Sequence, residues 1–447
     1  MRYFINKLAN KIESTVRSNN FPFVILLLIM IVLHQAISTY SFSDEQSVRD
    51  TTTWSNAWER YTQQLTINNR VIPMALYYTL PLLPEIVWKF LDISVVMLIA
   101  LSLSILFHAE TRSSRTLNWV IVGLILLYPM KDMSSAGWLT TTIFYSWIVA
   151  FTFVSFIPIQ KWYKKEPVGM KEYVVYTIAT IIASNSPQPA VIISVLYALF
   201  WADIFHRSEE VPKFLTFQFC VAFTSLIFFT FHPATIHRLE AEKQWWIDFD
   251  MISTIQKLKM GIGDTFSHFL AFPDPIFILL CGIILYAVIR KYKDPFYRVI
   301  SAIPFGLSVL PLLAPIVYRI FPAWERWVQY QYKLANLYDG RIVEITTQDR
   351  LTLLDYTILE NYLPIIIHII LAGLICIALY LIFENTRKTI LVVAIFMLGM
   401  FSRLTMGFSP TLLGSSARTF LFLYAAMAVC ILFIFSELNG KREGAQP

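Results

Sequence analysis

The sequence predicts an all-α, multi-pass membrane protein with about 12 transmembrane helices, some of them short or broken. Three observations lead there. Hydrophobic residues make up 56% of the chain and charged residues only 15%, where a soluble domain carries roughly 25% charge. The mean hydropathy is +0.58. The apolar residues also fall into separate runs divided by polar segments, at about 21–39, 86–107, 117–130, 138–159, 173–184, 189–205, 214–231, 275–289, 299–317, 363–383, 389–406 and 420–436. About 20 apolar residues cross the hydrocarbon core as a helix. Size here comes from repeated spans, so residues 1–447 form a single integral membrane domain in this reading.

Taken in order, the run from Phe21 to Thr39 carries no charge and reads as a first span. The basic segment before it, 1–20, is followed by no A-x-A cleavage signal, so the span reads as a retained anchor. The runs at 117–130, 173–184 and 189–205 are short, and the last two are split by Ser184-Asn-Ser-Pro-Gln-Pro189. Helices this short reach part-way or line a cavity where freed backbone groups find partners, which predicts a broken-helix set beside a lateral opening. Orientation follows from the basic residues. With the N-terminus in the cytoplasm, the inner segments 1–20, 108–115, 160–172, 206–213, 290–298, 384–388 and 437–447 hold 20 of the 36 Lys and Arg. Both termini then lie in the cytoplasm. The long outer segments are 40–85, 131–137, 232–274, 318–362 and 407–419. In two of them Ile252, Ile255 and Leu258, and Trp324, Val328 and Tyr332, recur near helical spacing, as in helices lying in the interface plane.

Composition also excludes classes. The net charge of +6 sits largely in short loops and does not point to nucleic acid. The inner loops have no room for a nucleotide-binding domain, and there is no Walker loop and no GxGxxG. Any chemistry therefore belongs to the outer face and is not driven directly by a nucleotide. Cys220, Cys281, Cys376 and Cys430 all lie in apolar runs without ligand spacing, so neither a disulfide framework nor a zinc site is indicated.

The candidate chemistry starts at Asp44 and Glu45, which follow the first span on a short tether. A fixed acid there can act as a general base, or simply begin a solvated loop. The same outer segment holds Trp54, Trp58, Asn69 and Arg70. Arginines make forked hydrogen bonds to phosphate, and flat aromatic faces stack on sugar rings. The tryptophans fit an interfacial aromatic belt equally well. Lys131 and Trp138 lie at the junction of the third and fourth spans, where Lys131 can meet a substrate phosphate or ordinary headgroups. His237 and Arg238 sit just outside the seventh span, and Arg418 opens the last helix, as an anion contact or as half of an ion pair. Arg403 lies inside an apolar span, and His34 and His368 read as packing histidines.

Asp44-Glu45, Asn69-Arg70, Thr235-Ile-His-Arg238, and Ser409-Pro-Thr411 with Arg418-Thr419 form a series. With the span layout, that series resembles the bacterial GT-C superfamily of membrane glycosyltransferases, in a branch that uses polyprenyl-phosphate sugars. The branch pattern is an acidic pair after the first span, Asn-Gly-Arg, Asn-x-x-Arg, and Ser-Pro-Thr…Arg-Thr near the end. Here Asn68-Asn69-Arg70 lacks the glycine, and Thr235-Ile-His-Arg238 keeps only the arginine. Ser184-Asn-Ser-Pro-Gln-Pro189 stands where many members show a Glu. The resemblance implies a GT-C-like fold in a bacterial cytoplasmic membrane. It implies transfer of a sugar from a polyprenyl-phosphate donor to a cell-envelope glycan or lipid-linked acceptor, inverting and without a metal or other cofactor. Asp44 is then the base and Glu45 its neighbour. Arg70, Arg238, Arg418, Lys131 and His237 are donor-phosphate candidates, and Trp54, Trp58, Asn69 and Trp138 sugar or acceptor contacts.

Two other classes stay open. A polysaccharide polymerase or ligase of another membrane fold would centre on the arginines of 318–362, namely Arg326, Arg341 and Arg350. A transporter or flippase would show ionisable residues near mid-membrane and repeated halves.

Overall fold

The computed structural model describes residues 18–38, 43–108, 113–245, 249–313, 363–412, 415 and 417–440. The 318–362 segment lies outside the described residues, with its Trp324, Val328 and Tyr332 stripe and its three arginines. So do most of both terminal segments and the side chain of Lys131. Among the described residues every regular element is helical.

Where described, each of the twelve apolar runs lies mainly on a helix, but not all of these helices are long enough to cross a bilayer. Among the described residues eight helices pass by length and composition: Glu85–Phe107, Trp138–Tyr163, Pro187–His206, Lys213–Phe231, Pro295–Leu313, Ile365–Ile382, Thr386–Phe408 and Ala417–Asn439. A ninth is added if Thr254–Leu270 and Pro275–Lys291, bent by 81° at their junction, count as one broken span. The helices Phe21–Ala36 (16 residues), Ser114–Leu127 (14) and Met170–Ala183 (14) are apolar but short. At 1.5 Å per residue they measure about 21–24 Å, below the roughly 30 Å of a hydrocarbon core. By contrast, the run read as short at 189–205 belongs to a full-length helix, because Pro187 and Pro189 occupy its first turn, where a missing N–H costs nothing.

The chain divides into two compact units, Met1–Ala234 with Ser436–Pro447, and Thr235–Phe435. In the first unit the helices are α1 (Phe21–Ala36), α2 (Ser43–Thr51), α3 (Ala57–Gln64), α4 (Val71–Thr79), α5 (Glu85–Phe107), α6 (Ser114–Leu127), α7 (Trp138–Tyr163), α8 (Met170–Ala183), α9 (Pro187–His206) and α10 (Lys213–Phe231). The centre is α7: 83% of its apolar window is buried inside the protein, against 22% for α10. One cluster packs Ile37, Trp88, Val95, Leu139, Ile143, Trp147 and Ala150, joining α5 to the first half of α7. A second packs Ile159, Ala183, Ile193, Tyr197, Leu215 and Ala222 from α7, α8, α9 and α10. The outward faces stay apolar. On α1 the side chains of Met30 and His34 are buried while Leu28 and Val32 are exposed, the pattern of a helix with lipid on one side.

Within α7 the residues Thr142–Ser146 form a π-turn. It sits in a Thr140-Thr-Thr142 run whose Thr142 hydroxyl bonds back to the carbonyl of Leu139 at 3.2 Å, a competition with the helix ladder that such residues favour. The segment 40–85, read as an outer loop, is largely helical: α2, α3 and α4 fill it, and Val71–Leu82 is itself an apolar helix of 12 residues. Pro73 and Pro81 break that run up in the sequence.

The second unit contains α11 (Pro233–Glu242), whose first two residues fall to the other unit, then α12 (Thr254–Ala271), α13 (Pro275–Lys291), α14 (Pro295–Val309), α15 (Leu363–Ile382), α16 (Thr386–Leu404) and α17 (Leu421–Asn439), whose last residues, from Ser436, also fall to the other unit. Helix α12 packs close to the turn after α16. A Cβ on Gly407 would meet the backbone of Lys257 and Gly261, so this crossing needs glycine on both sides. The stripe read along 252–258 does not lie on one face: Ile252 is buried with Phe249, while Ile255 and Leu258 are exposed.

Candidate functional site

Two groups of candidate residues are defined, one in each unit. In the first unit the acidic pair opens α2, and its two members part company. Asp44 is exposed. Glu45 is fully buried and accepts a hydrogen bond from the backbone N–H of Thr140 at 3.1 Å. Thr140 belongs to the first turn of α7, where a helix leaves N–H groups without partners. The residue at the N-cap position is Gly137, which has no side chain to supply the missing acceptor. Glu45 supplies it from 95 residues away in the chain. An anionic side chain at a helix N-terminus is also favoured by the helix dipole. Gly137 has φ +104, and a Cβ there would run into the Glu45 carboxylate, so the position needs glycine twice over. Burial is the main cause that pushes the Glu45 carboxyl up from 4.5 to about 7, partly offset by the Thr140 hydrogen bond.

The rest of the first group gathers along the start of α7. Tyr77 on α4 donates its hydroxyl to the backbone carbonyl of Asp44 at 3.4 Å, and its ring lies 6.0 Å from that of Phe144. Arg70, at the N-cap of α4, places its guanidinium 5.5 Å from the centre of the Phe144 ring. Asn69 is buried. The N–H of Ile72 donates to the side chain of Asn185 at 2.7 Å, tying α4 to the break between α8 and α9. Trp138 packs against the α5–α7 cluster. Trp54 and Trp58 are exposed, with Trp58 5.4 Å from Tyr61. Asp44, Glu45 and Arg70 are thus brought to one end of α7.

In the second unit two of the sequence motifs meet. Arg238 donates to Glu242 one turn along α11 at 2.6 Å. The other Glu242 oxygen accepts from the hydroxyl of Ser409 at 3.2 Å. Ser409 lies 2.8 Å from the Thr411 hydroxyl, and Ser415 donates to Thr411 at 3.0 Å. The Ser409-Pro-Thr411 turn and Arg238 therefore share one carboxylate. His237 is exposed, and Arg418 is half-buried in the turn Ala417–Phe420 that leads into α17. Beside them Arg403 is buried, paired with Asp264 on α12, its guanidinium 4.3 Å from the centre of the Phe420 ring. The same ring stacks on His268 at 4.1 Å. The Tyr424 hydroxyl donates to Asp274 at 2.5 Å. It therefore accepts from His268 Nε2, 2.8 Å away.

Glu242, Asp264, His268, Asp274, Tyr424, Tyr77, Gly137 and Asp92 are absent from the sequence candidates. One signal was present for Asp92: it is the lone acid in the core of a long apolar run, and an acid there is costly without a partner. Another was the i, i+4 spacing of Asp264 and His268. Among the described residues no group of three or more His, Cys, Asp or Glu is placed to hold a metal ion. Compared with known proteins, the chain matches no family model, no curated protein and no solved structure.

Proposed function

We propose that the protein is a membrane glycosyltransferase of GT-C type, moving a sugar from a polyprenyl-phosphate donor to an envelope glycan or lipid-linked acceptor on the outer face of a bacterial cytoplasmic membrane. The observation that carries the reading is the clamped acidic turn. Glu45 fixes the first turn of α2 onto α7 and leaves Asp44 exposed beside it. Asp44 takes the proton from the acceptor hydroxyl as that oxygen attacks the anomeric carbon. The bond from that carbon to the phosphate oxygen breaks, and the phosphate leaves with the electron pair. Positive charge belongs where that negative charge develops. Arg70, in the same unit as Asp44, is the group that meets it.

The test is transfer by the purified full-length protein in vesicles, supplied with polyprenyl-phosphate donors carrying radiolabelled hexoses and a membrane glycan acceptor. Asp44→Asn keeps the shape and removes the base. Transfer should fall by about 10²–10⁴-fold, the usual contribution of a positioned acid or base, with protein level and donor binding unchanged. Full transfer by Asp44→Asn would remove the central residue. A second reading, a transporter, is favoured by one observation: the ionisable residues His34, Asp92 and Arg403 are buried within helices, His34 paired with Asp92 and Arg403 with a half-buried Asp264. Movement of an intact lipid-linked glycan across the vesicle, without bond cleavage, would select it.

A further inference from the structure

We propose that His34 and Asp92 form a proton-binding site in the interior of the first unit. The donors and acceptors around the pair do not match without one more proton. Both side chains are buried. His34 Nδ1 lies 2.8 Å from the backbone carbonyl oxygen of Met30. A carbonyl can only accept, so Nδ1 carries a hydrogen. His34 Nε2 lies 2.9 Å from Asp92 Oδ2. The other carboxylate oxygen, Oδ1, accepts from the indole N–H of Trp147 at 2.7 Å. With Nδ1 already protonated, a neutral imidazole would turn its Nε2 lone pair onto a carboxylate lone pair. Two acceptors facing each other in a buried site repel. One further proton resolves this, on Nε2 or on Oδ2, and makes the pair neutral as a whole. That neutrality is what lets it sit among apolar helices.

Among the described residues neither side chain has a further hydrogen-bond or charged partner. Trp88 on α5 lies 5.5 Å from the His34 ring, and its indole N–H donates to Thr142 of α7 at 3.1 Å. The nearest charged groups along α5 are Lys89 and Glu85, joined to each other at 3.1 Å. On α6 the basic residue is Arg115, over the Phe21 ring at the other end of α1. The bound proton therefore fastens α1 to α5, and through Asp92 to α7. It is a ligand of the packed helices and not of the separated ones. The site goes beyond the transfer reading and does not depend on it.

Two measurements on the full chain in detergent test it. Histidine-selective 15N NMR at neutral pH, with the His34 signal identified by its loss in His34→Gln, reads the ring, and infrared difference spectroscopy against Asp92→Asn reads the carboxyl. The proposal expects either both ring nitrogens protonated, or one protonated ring nitrogen together with a protonated-carboxyl band that Asp92→Asn removes. A ring with one protonated nitrogen and no such band overturns it. The second measurement is thermal unfolding. In Asp92→Asn the amide N–H can donate to Nε2 while its oxygen still accepts from Trp147, so every group is satisfied without the extra proton. His34→Leu strands the Asp92 carboxylate. The unfolding temperature should drop little in Asp92→Asn and substantially in His34→Leu. The reverse order overturns the proposal.

Discussion

Replacing Glu45 by Gln should change how stability depends on pH, and the direction follows from where the carboxyl sits. In the folded protein it titrates at about 7, in the unfolded chain near 4.5. Between these values the folded protein holds a proton that the unfolded chain has released. Stability from this group is therefore fully present below about pH 4.5 and is lost as the pH rises through about 7. One pH unit of difference corresponds to about 1.4 kcal/mol, so the whole change is on the order of 3 kcal/mol. Gln has nearly the same shape, can accept from the Thr140 N–H through its oxygen, and does not titrate. Glu45→Gln should match the wild type near pH 4.5 and exceed it by up to about 3 kcal/mol near pH 8. The assay is thermal unfolding in detergent at steps between about pH 5 and 8, read by intrinsic fluorescence. Two curves that stay parallel across the range would refute the reasoning, because the titrating group would then lie elsewhere.

Other outcomes follow from the same structure. Gly137→Ala forces an L side chain into φ +104 and against the Glu45 carboxylate, and should cost at least about 1–3 kcal/mol, seen as a lower unfolding temperature. Restoring space with Glu45→Gly in the same chain should recover part of that loss. Arg70→Ala should weaken donor binding as well as turnover, measured by titrating a polyprenyl-phosphate sugar onto the reconstituted protein; unchanged binding would take Arg70 out of the phosphate site. Cysteines placed at Lys164 or Lys291 should resist an impermeant thiol reagent applied outside whole cells, and ready labelling would reverse the expected orientation.

The helices were legible in the sequence because long, predominantly apolar runs leave few alternatives to burial in lipid or protein. Their lengths were less legible. Pro187 and Pro189 look like a break in the sequence, yet they open a full helix, since proline suits a first turn. Val71–Leu82 was hidden by its own prolines. At the candidate site, Asp44 and Glu45 could be found as a pair, but not told apart. What separates them is Gly137, far along the chain, and periodicity carries no information about such a contact. Arg238 and Ser409-Pro-Thr411 were readable singly, while Glu242, the carboxylate joining them, looked like any charge on a surface helix. His34 read as a lone packing histidine because its partner Asp92 lies 58 residues away.

The π-turn at Thr142–Ser146 gives α7 a phase problem and its solution. Upstream of it, the backbone N–H of Thr140 must reach Glu45; downstream, the indole of Trp147 must face Asp92. Each residue added to or removed from a helix rotates everything beyond it by about 100°. Removing one residue from 142–146 to restore a regular helix would turn one end by more than a quarter of a circle against the other. The helix could then keep its grip on the acidic turn or on the buried His34–Asp92 pair, but not on both. The bulge thus works as a gear tooth between two alignments, and a change in the length of that short stretch would be felt on both sides of it.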